Sequence, residues 1–318
     1  MPITPQPWIL RRVAERRIVS FTYDCPGEPI PWQRSPPQLE LASLVVCPLQ
    51  SLSVRVVAEE SVNDVASILV SSRESLRRLQ LRLCWWEHPV GPSFNYPASI
   101  ARMEPWERDE LLPIFRLLNP QDRLRLSELK LSSIANFRLS NLARVIEFRT
   151  LETLSMIDTR VGDYGDDFWQ CLTELEGHLA LKSLVTDCES ESLGEFLSSF
   201  KGLEDLALCH VDKRWHDISP SHPSLAHHFS TLKRLFLPRD VHGSSFMTPR
   251  HVSLLVNKCS HLEELGFAFY EEDMVCYFPA YLFLKDRRSS IGKTNINLRI
   301  RQKSVPPWTR ARSYTLYI

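Results

Sequence analysis

Apolar residues along this chain change their spacing in a regular cycle, and one segment shows the cycle clearly. In the stretch from 251 to 267, Leu255 and Cys259 are four residues apart, which places them on one face of a helix. From Leu262 to Phe267 the apolar residues follow the pattern L-x-x-L-x-L, whose last two positions alternate as in a strand. The segment therefore predicts a helix followed by a short strand.

This helix-to-strand unit recurs along most of the chain. Most strands begin 22 to 31 residues after the previous one, which is the period of leucine-rich repeats. One unit cannot bury its own apolar face, so the copies must stack against each other. The pattern predicts a right-handed α/β solenoid with parallel strands on the concave face and helices on the convex face. The first apolar positions of the strands are Ile18, Leu49, Leu76, Leu126, Leu151, Leu181, Leu203, Leu232 and Leu262.

The predicted domain organisation is a single leucine-rich-repeat solenoid over residues 1–318. Residues 1–48 are expected to form an N-terminal cap and a first irregular repeat. Residues 49–267 hold the repeats, and residues 268–318 form a C-terminal cap. Helices are expected near residues 5–17, 62–75 (with Ser61 and Asn63 as candidate caps), 106–118, 139–148, 166–178, 192–200, 224–229 and 249–259.

One step of the cycle, from Leu76 to Leu126, is 50 residues long and contains a stretch rich in aromatics and prolines near 85–105. This step is either one repeat that carries an insertion or two repeats of which one cannot be read. Trp85 and Trp86 have two corresponding interpretations. They contribute aromatic contacts to a partner, or they fill the core of a collapsed repeat.

Side chains of a strand alternate between its two faces, so the residues that face the concave side can be read from the pattern. They are the residue between the last two apolar positions and the residue just after them. These positions grade from polar and basic near the N-terminus to small and apolar near the C-terminus. Phe236 lies in the apolar part and is the best candidate anchor for a protein partner. The candidate partner-binding residues are Phe236, Arg82, Arg55, Lys130, Asp187, Trp85 and Trp86.

From the repeat of Leu151 onward, charges alternate at the position just after the first leucine. Equivalent positions of neighbouring parallel strands lie side by side, so opposite charges there attract. The alternation predicts a ladder of ion pairs beside the concave face. Its members are Glu152, Lys182, Glu204, Lys233 and Glu263.

The composition of the chain limits which classes of partner and which cellular compartments are expected. Lys and Arg number 38 and Asp and Glu also number 38, so the chain carries no net charge and is not expected to bind nucleic acid or an acidic membrane. No apolar run reaches the roughly 18 residues of a membrane-spanning helix. The eight cysteines are scattered, several of them where a buried apolar residue is expected. Free buried thiols favour a reducing compartment, so a cytoplasmic or nuclear location is expected.

The C-terminal segment is basic and carries Trp308, Tyr314 and Tyr317 among its cations. Such a mixture would suit contact with a nucleic-acid backbone. The apolar alternation at 296–300 and 314–318 instead favours closing strands whose charged residues protect an exposed edge.

Motifs of known chemistry are absent or incomplete. Gly292, Lys293 and Thr294 imitate the end of a phosphate-binding loop, but Arg287 stands where that loop needs a glycine. Possible zinc ligands between 209 and 228 match no structural-zinc spacing, and His227 and His228 are interpreted as surface residues. The sequence therefore predicts no catalytic residue, no cofactor and no metal.

The run L-x-x-x-C-x-x-L-x-x-L-x-F from Leu255 to Phe267 resembles the cysteine-containing class of leucine-rich repeat. That class is typical of F-box proteins, the substrate-recognition subunits of cullin-based ubiquitin ligases, and the irregular periods resemble fungal members. No F-box is expected in this sequence, because the residues before Ile18 are few and include Pro2, Pro5 and Pro7.

The predicted function is that of a non-enzymatic scaffold that recognises a protein partner on its concave face. The resemblance implies a substrate-recognition adaptor related to ubiquitin-ligase F-box proteins. Two alternatives stay open, a structural remnant without a partner and an enzyme with an unrecognised site.

Overall fold

Parallel strands joined by helical segments form both parts of the chain that this computed structural model describes. The chain divides into two compact units, Met1–Ala180 (unit 1) and Leu181–Ile318 (unit 2). The prediction of one continuous solenoid stays a prediction. The structure describes residues 20–23, 48–56, 59–83, 113–115, 117–132, 139–157, 165–175, 179–187, 191–208, 223–237, 249–269, 300–303 and 312–317.

Unit 1 contains a sheet of strands that pair in chain order and are all parallel. Its helical segments lie between the strands in sequence, as the helix-to-strand cycle predicts. The strands are β1 (Ser20–Tyr23), β2 (Ser51–Val56), β3 (Arg78–Leu83), β4 (Glu128–Ser132) and β5 (Thr153–Ile157). The helices are α1 (Glu59–Ser72), α2 (Gly165–Thr173) and the 3₁₀ helices Pro113–Phe115, Leu139–Arg144 and Phe148–Thr150.

Unit 2 continues the cycle with parallel strands and ends in an antiparallel pair. The parallel strands are β6 (Ser183–Thr186), β7 (Asp205–Leu208), β8 (Arg234–Leu237) and β9 (Glu264–Phe269). The last two strands are β10 (Ile300–Lys303) and β11 (Arg312–Tyr317), of which β11 lies antiparallel between β9 and β10. The helices are α3 (Glu191–Ser199), α4 (Pro223–Ala226) and α5 (Pro249–Lys258).

Both units are therefore α/β, and the described strands of neither close into a barrel, an arrangement compatible with stacked repeats. β11 overlaps the closing strand that the C-terminal alternation predicts at 314–318, whereas β10 shares only Ile300 with the strand predicted at 296–300. Within the described ranges, no helix is both long enough and apolar enough to cross a membrane.

The repeat leucines are buried and stacked in register. Leu206, Leu235 and Leu265 are direct partners on neighbouring strands, and none of the three is accessible to solvent. The first leucines are buried as well, from Leu49 in unit 1 to Leu262 in unit 2. The predicted register is therefore confirmed for the strands whose side chains the structure describes.

The two strands that flank the long step between Leu76 and Leu126 are direct neighbours. β3 pairs with β4, with Leu79 opposite Leu129 and Leu81 opposite Leu131. No other strand lies between them in the sheet, and residues 85–105 lie outside the described part of the chain, so both interpretations of that stretch stay predictions.

A backbone hydrogen-bond pattern recurs where each strand begins. The carbonyl after the first leucine accepts two consecutive N–H groups from the next repeat. In unit 2, the Glu204 carbonyl accepts from Lys233 and Arg234, and the Lys233 carbonyl accepts from Glu263 and Glu264, at 2.7–3.0 Å. Unit 1 shows the same geometry at the carbonyls of Gln50, Arg77 and Ser127. The pattern holds equivalent residues side by side, independent of their side chains.

Side chains of one repeat also hydrogen-bond the backbone of the first leucine of the preceding repeat. The Ser72 hydroxyl accepts a hydrogen bond from the Leu49 N–H at 3.1 Å, and the Ser75 hydroxyl donates to the Leu49 carbonyl at 2.9 Å. The Thr150 hydroxyl makes the corresponding bond to the Leu126 carbonyl, also at 2.9 Å. Because these leucines are fully buried, water cannot replace the partners.

In unit 2, a histidine side chain bonds the backbone of the first leucine of the preceding repeat. Nδ1 of His228 accepts a hydrogen bond from the Leu203 N–H at 3.4 Å, and Thr231 donates to the Leu203 carbonyl at 2.8 Å. Nε2 of His228 donates to the Leu197 carbonyl at 2.9 Å. These partners fit the neutral imidazole with its proton on Nε2. His228 stands at the repeat position that Ser72 occupies in unit 1.

This finding corrects the interpretation of the histidine pair. His227 is exposed, as predicted, but His228 is fully buried and packs against the Phe200 ring at 5.0 Å. Burial is the main cause that lowers the pKa of His228 below its ordinary value of 6.5, and the neighbouring His227 adds to it. The hydrogen bond to Leu197 opposes both effects.

Two helix predictions also need correction. α1 begins at Glu59, so Ser61 and Asn63 lie inside the helix and do not cap it. Residues Leu139–Arg144 form a 3₁₀ helix that ends before Ile146, where an α-helix was expected. Ile146 instead forms a parallel bridge with Leu124, and the extended conformation of that bridge ends the helix. The predicted helix at 5–17 lies outside the described residues.

Replacing Leu235 by Ala tests the stacked core. The substitution leaves a cavity among buried leucines, so the free energy of unfolding should fall by about 2–5 kcal/mol. Leu117, which is 57% exposed, is the matched control, and Leu117→Ala should cost less than about 0.5 kcal/mol. Denaturant titration measures both, and equal losses would refute the register.

His228 predicts a pH dependence of stability. Because its pKa in the folded protein is below 6.5, protonation favours the unfolded chain, and stability should fall as the pH decreases below about 6.5. His228→Gln keeps an acceptor and a donor but cannot titrate, so it should remove this part of the pH dependence. His227→Gln, at the exposed neighbour, removes only a minor cause of the lowered pKa and should keep most of this pH dependence. Urea titrations at pH 7.5 and 5.5 make the comparison, and identical pH dependence in all three proteins would exclude the proposed role of His228.

Candidate binding face

The strands of unit 2 leave one face of their sheet open. Along β6 to β8, buried residues alternate with residues that are partly exposed, because successive side chains point to opposite faces. We call the partly exposed side the open face of unit 2. Its described residues are Ser183, Val185, Asp187, Asp205, Ala207, Arg234, Phe236 and Glu264, together with Gly266, which is buried under the Phe236 ring.

An apolar strip crosses the open face. Val185, Ala207, Phe236 and Gly266 are direct register partners on β6, β7, β8 and β9. The Phe236 ring lies over Gly266, where a Cβ atom would overlap Cδ1 and Cε1 of the ring. Only a residue without a side chain lets the ring occupy this place. Phe236 is therefore the largest side chain on a strip of small ones, and it is half-buried.

A charged row runs beside the apolar strip. Asp205, Arg234 and Glu264 are register partners on β7, β8 and β9. Nε and one terminal nitrogen of Arg234 donate to the two oxygens of Asp205, each at 2.5 Å. This bidentate hydrogen bond raises the pKa of Arg234 and fixes the guanidinium toward β7.

The predicted charge ladder is confirmed at one rung. Nζ of Lys233 lies 2.5 Å from a Glu204 oxygen, and this hydrogen bond raises the pKa of Lys233 above its ordinary value. Glu263 adds a weaker electrostatic attraction to the same lysine. Backbone bonds place Lys182, Glu204, Lys233 and Glu263 at equivalent positions. The rung from Glu152 to Lys182 stays a prediction.

The open face of unit 1 is more polar and more basic. Gln80 and Arg82 on β3 are exposed. On β4, Lys130 forms an ion pair with Glu128 at 2.5 Å. Arg55 is the register partner of Arg82, so two basic residues occupy adjacent strands at the carboxyl ends of β2 and β3.

The structure places the predicted partner-binding residues in two separate groups. Arg82 and Lys130 belong to the open face of unit 1, and Asp187 and Phe236 to that of unit 2. The side chain of Arg55 lies outside the described residues, as do Trp85 and Trp86. The predicted alternation is confirmed except at two positions: Ser155, between Leu154 and Met156, and Gly266, after Leu265, are buried as well.

Sequence reasoning missed the row that joins Asp205, Arg234 and Glu264. A signal was present, because each of these residues directly precedes the second leucine of its repeat and their charges alternate. The role of Gly266 was missed for a different reason. Its contact with Phe236 depends on the rotamer of a residue on another strand.

Metal-ligating side chains do not cluster in the described part of the chain. No group of three or more His, Cys, Asp or Glu residues there could hold a metal ion. Cys259 is fully buried, and burial raises the pKa of its thiol to about 11, so it is a packing residue. The phosphate-loop imitation at Gly292 and the possible zinc ligands from Cys209 to His222 lie outside the described residues.

Comparison with known proteins identifies no relative. No family model, no curated protein and no solved structure matches this chain.

Reversing the charge of Lys233 tests the ladder. Lys233→Glu places acids on three neighbouring strands, between Glu204 and Glu263, so it should lower the melting temperature more than Lys201→Glu. Lys201 is exposed and makes no ion pair with a described residue. The difference should shrink in 1 M salt, where screening acts over about 3 Å. Equal melting temperatures at low salt would remove the ladder from the account.

Proposed function

We propose that this protein is a non-enzymatic, leucine-rich-repeat scaffold that binds a protein partner on the open faces of its parallel strands. The buried face of each strand carries the same leucines. Residues on the opposite face can therefore differ from strand to strand without disturbing the core. The outward positions are therefore available for recognition, and in this chain they carry different chemistry in the two units.

The observation that carries the proposal is the position of Phe236. A half-buried aromatic ring on an open sheet face, with Ala207 on one side and Gly266 on the other, offers apolar area that neighbouring side chains do not cover. Aromatic residues of this kind dominate the binding energy of protein interfaces. A role in the core alone would not require the ring to lie on the face opposite the leucines.

The finer part of the proposal is that the scaffold serves as a substrate-recognition adaptor related to the F-box class, in the cytoplasm or nucleus. Its support is the pattern from Leu255 to Phe267, together with the buried, free thiol of Cys259. Leu255 and Cys259 are both fully buried, as two residues on one apolar helix face should be.

Affinity purification of the tagged full chain, followed by mass spectrometry, tests the proposal. Phe236→Ala should lose the specific partners while the melting temperature changes by only a few degrees, because the ring lies on the open face. Gly266→Ala should also weaken capture, since the added Cβ displaces the ring. Leu117→Ala removes an exposed apolar side chain elsewhere and should leave capture unchanged.

Recovery of a cullin adaptor with the wild-type chain would support the ligase assignment. Capture that is identical for wild type and both open-face variants would refute the recognition role. A melting temperature that falls by many degrees in Phe236→Ala would instead assign Phe236 to the core.

A further inference from the structure

Lys233, just before β8, and Arg234, the first residue of β8, both turn their cations toward the same neighbouring repeat. Lys233 binds Glu204, and Arg234 binds Asp205 with two nitrogens, so both charges are directed at β7. The side-chain hydrogen bonds of these two cations therefore go to one side of β8 only. The strand on its other side, β9, carries acids at the equivalent positions.

These acids, Glu263 and Glu264, have no cation within 4.0 Å among the described residues. Lys233 and Arg234 attract them through space but bond elsewhere. The register partner of Glu264 on β11 is Tyr317, which is not a cation. Among the described residues, the β9 side of the open face therefore carries two acids without an ion-pair partner, and they lie beside the apolar strip.

The size of the strip suits an extended segment. Neighbouring strands are about 4.8 Å apart, so the distance across the four strands from Val185 to Gly266 is about 14 Å. An extended peptide covers that distance with four or five residues, at about 3.3 Å per residue. Gly266 lies under the Phe236 ring, but Ala207 on the other side has only a small side chain, so the strip can accept an apolar side chain beside Phe236.

We propose that the open face of unit 2 binds an extended segment of the partner in which an apolar residue packs on Phe236 and a flanking Lys or Arg pairs with Glu263 and Glu264. The inference rests on the proposed function and specifies the chemistry of the partner. Charge complementarity selects the occupant. An acidic segment would meet two carboxylates, and a purely apolar one would leave both without a counter-charge.

Selection from a phage-displayed library of random peptides tests the inference. The full chain is the bait, and the peptides are roughly 12 residues long, or about 40 Å when extended. The enriched sequences should combine an apolar residue with a nearby Lys or Arg. A synthetic, fluorescein-labelled copy of the most enriched peptide then serves as the probe for fluorescence polarisation.

Single variants assign the contacts. Glu264→Lys should raise the Kd of the probe about fivefold or more, because an exposed ion pair is lost. Phe236→Ala should raise it about thirtyfold, because an aromatic anchor usually contributes more binding energy. Glu195→Lys, at an exposed position of α3, makes the same charge change away from the open face and should not alter the Kd. Higher salt should weaken the wild-type complex.

Three results would overturn the inference: enrichment of acidic peptides, no enrichment, or binding that Glu264→Lys and Phe236→Ala leave unchanged. If one of these results is found but partner capture from cells still depends on Phe236, only the inference of an extended segment with a Lys or Arg fails. If capture is also independent of Phe236, the proposed function fails with it.

Discussion

The constraint on which each unit depends is that the first leucine of a repeat buries its backbone as well as its side chain. The N–H and C=O groups of Leu49 and Leu203 have no access to water, so a protein group must bond them. In both cases the next repeat supplies that group, from Ser72 and Ser75 in unit 1 and from His228 and Thr231 in unit 2. Each repeat is therefore complete only when the next one is stacked on it in register.

The same constraint leaves the other face of the sheet free to vary. Once backbone bonds and leucines set the register, outward residues at equivalent positions become neighbours whatever their type. Unit 1 uses these positions for polar and basic residues, such as Gln80 and Arg82. Unit 2 uses them for an apolar strip beside a charged row, and the small size of Gly266 determines where the Phe236 ring lies.

Much of the fold could be predicted because the spacing of the leucines indicates which residues are buried. The in-register burial of Leu206, Leu235 and Leu265 follows from L-x-x-L-x-L and from the need to stack. His228 could not be predicted in this way, since a histidine in a polar stretch has no periodic signal. Its burial depends on the backbone of Leu203, which is 25 residues away.

The candidate site was predictable in position but not in detail. Alternation placed Phe236 on the open face, whereas its contact with Gly266 depends on side-chain conformation. The 3₁₀ helix at Leu139–Arg144 is a second feature whose detail could not be predicted from the sequence. Its end depends on a bridge between Ile146 and Leu124 that no local pattern encodes. Contacts between repeats therefore decided the features that local propensity did not.

Hydroxyl-radical footprinting of the full chain, alone and in the complex that it recovers from cells, tests the central claim most directly. The account predicts that modification of Phe236 and Val185, on the open face, decreases in the complex. Modification of Leu117, which is exposed in the helical segment before β4, should not change. Protection of Leu117 with unchanged modification of Phe236 would contradict recognition through the open face.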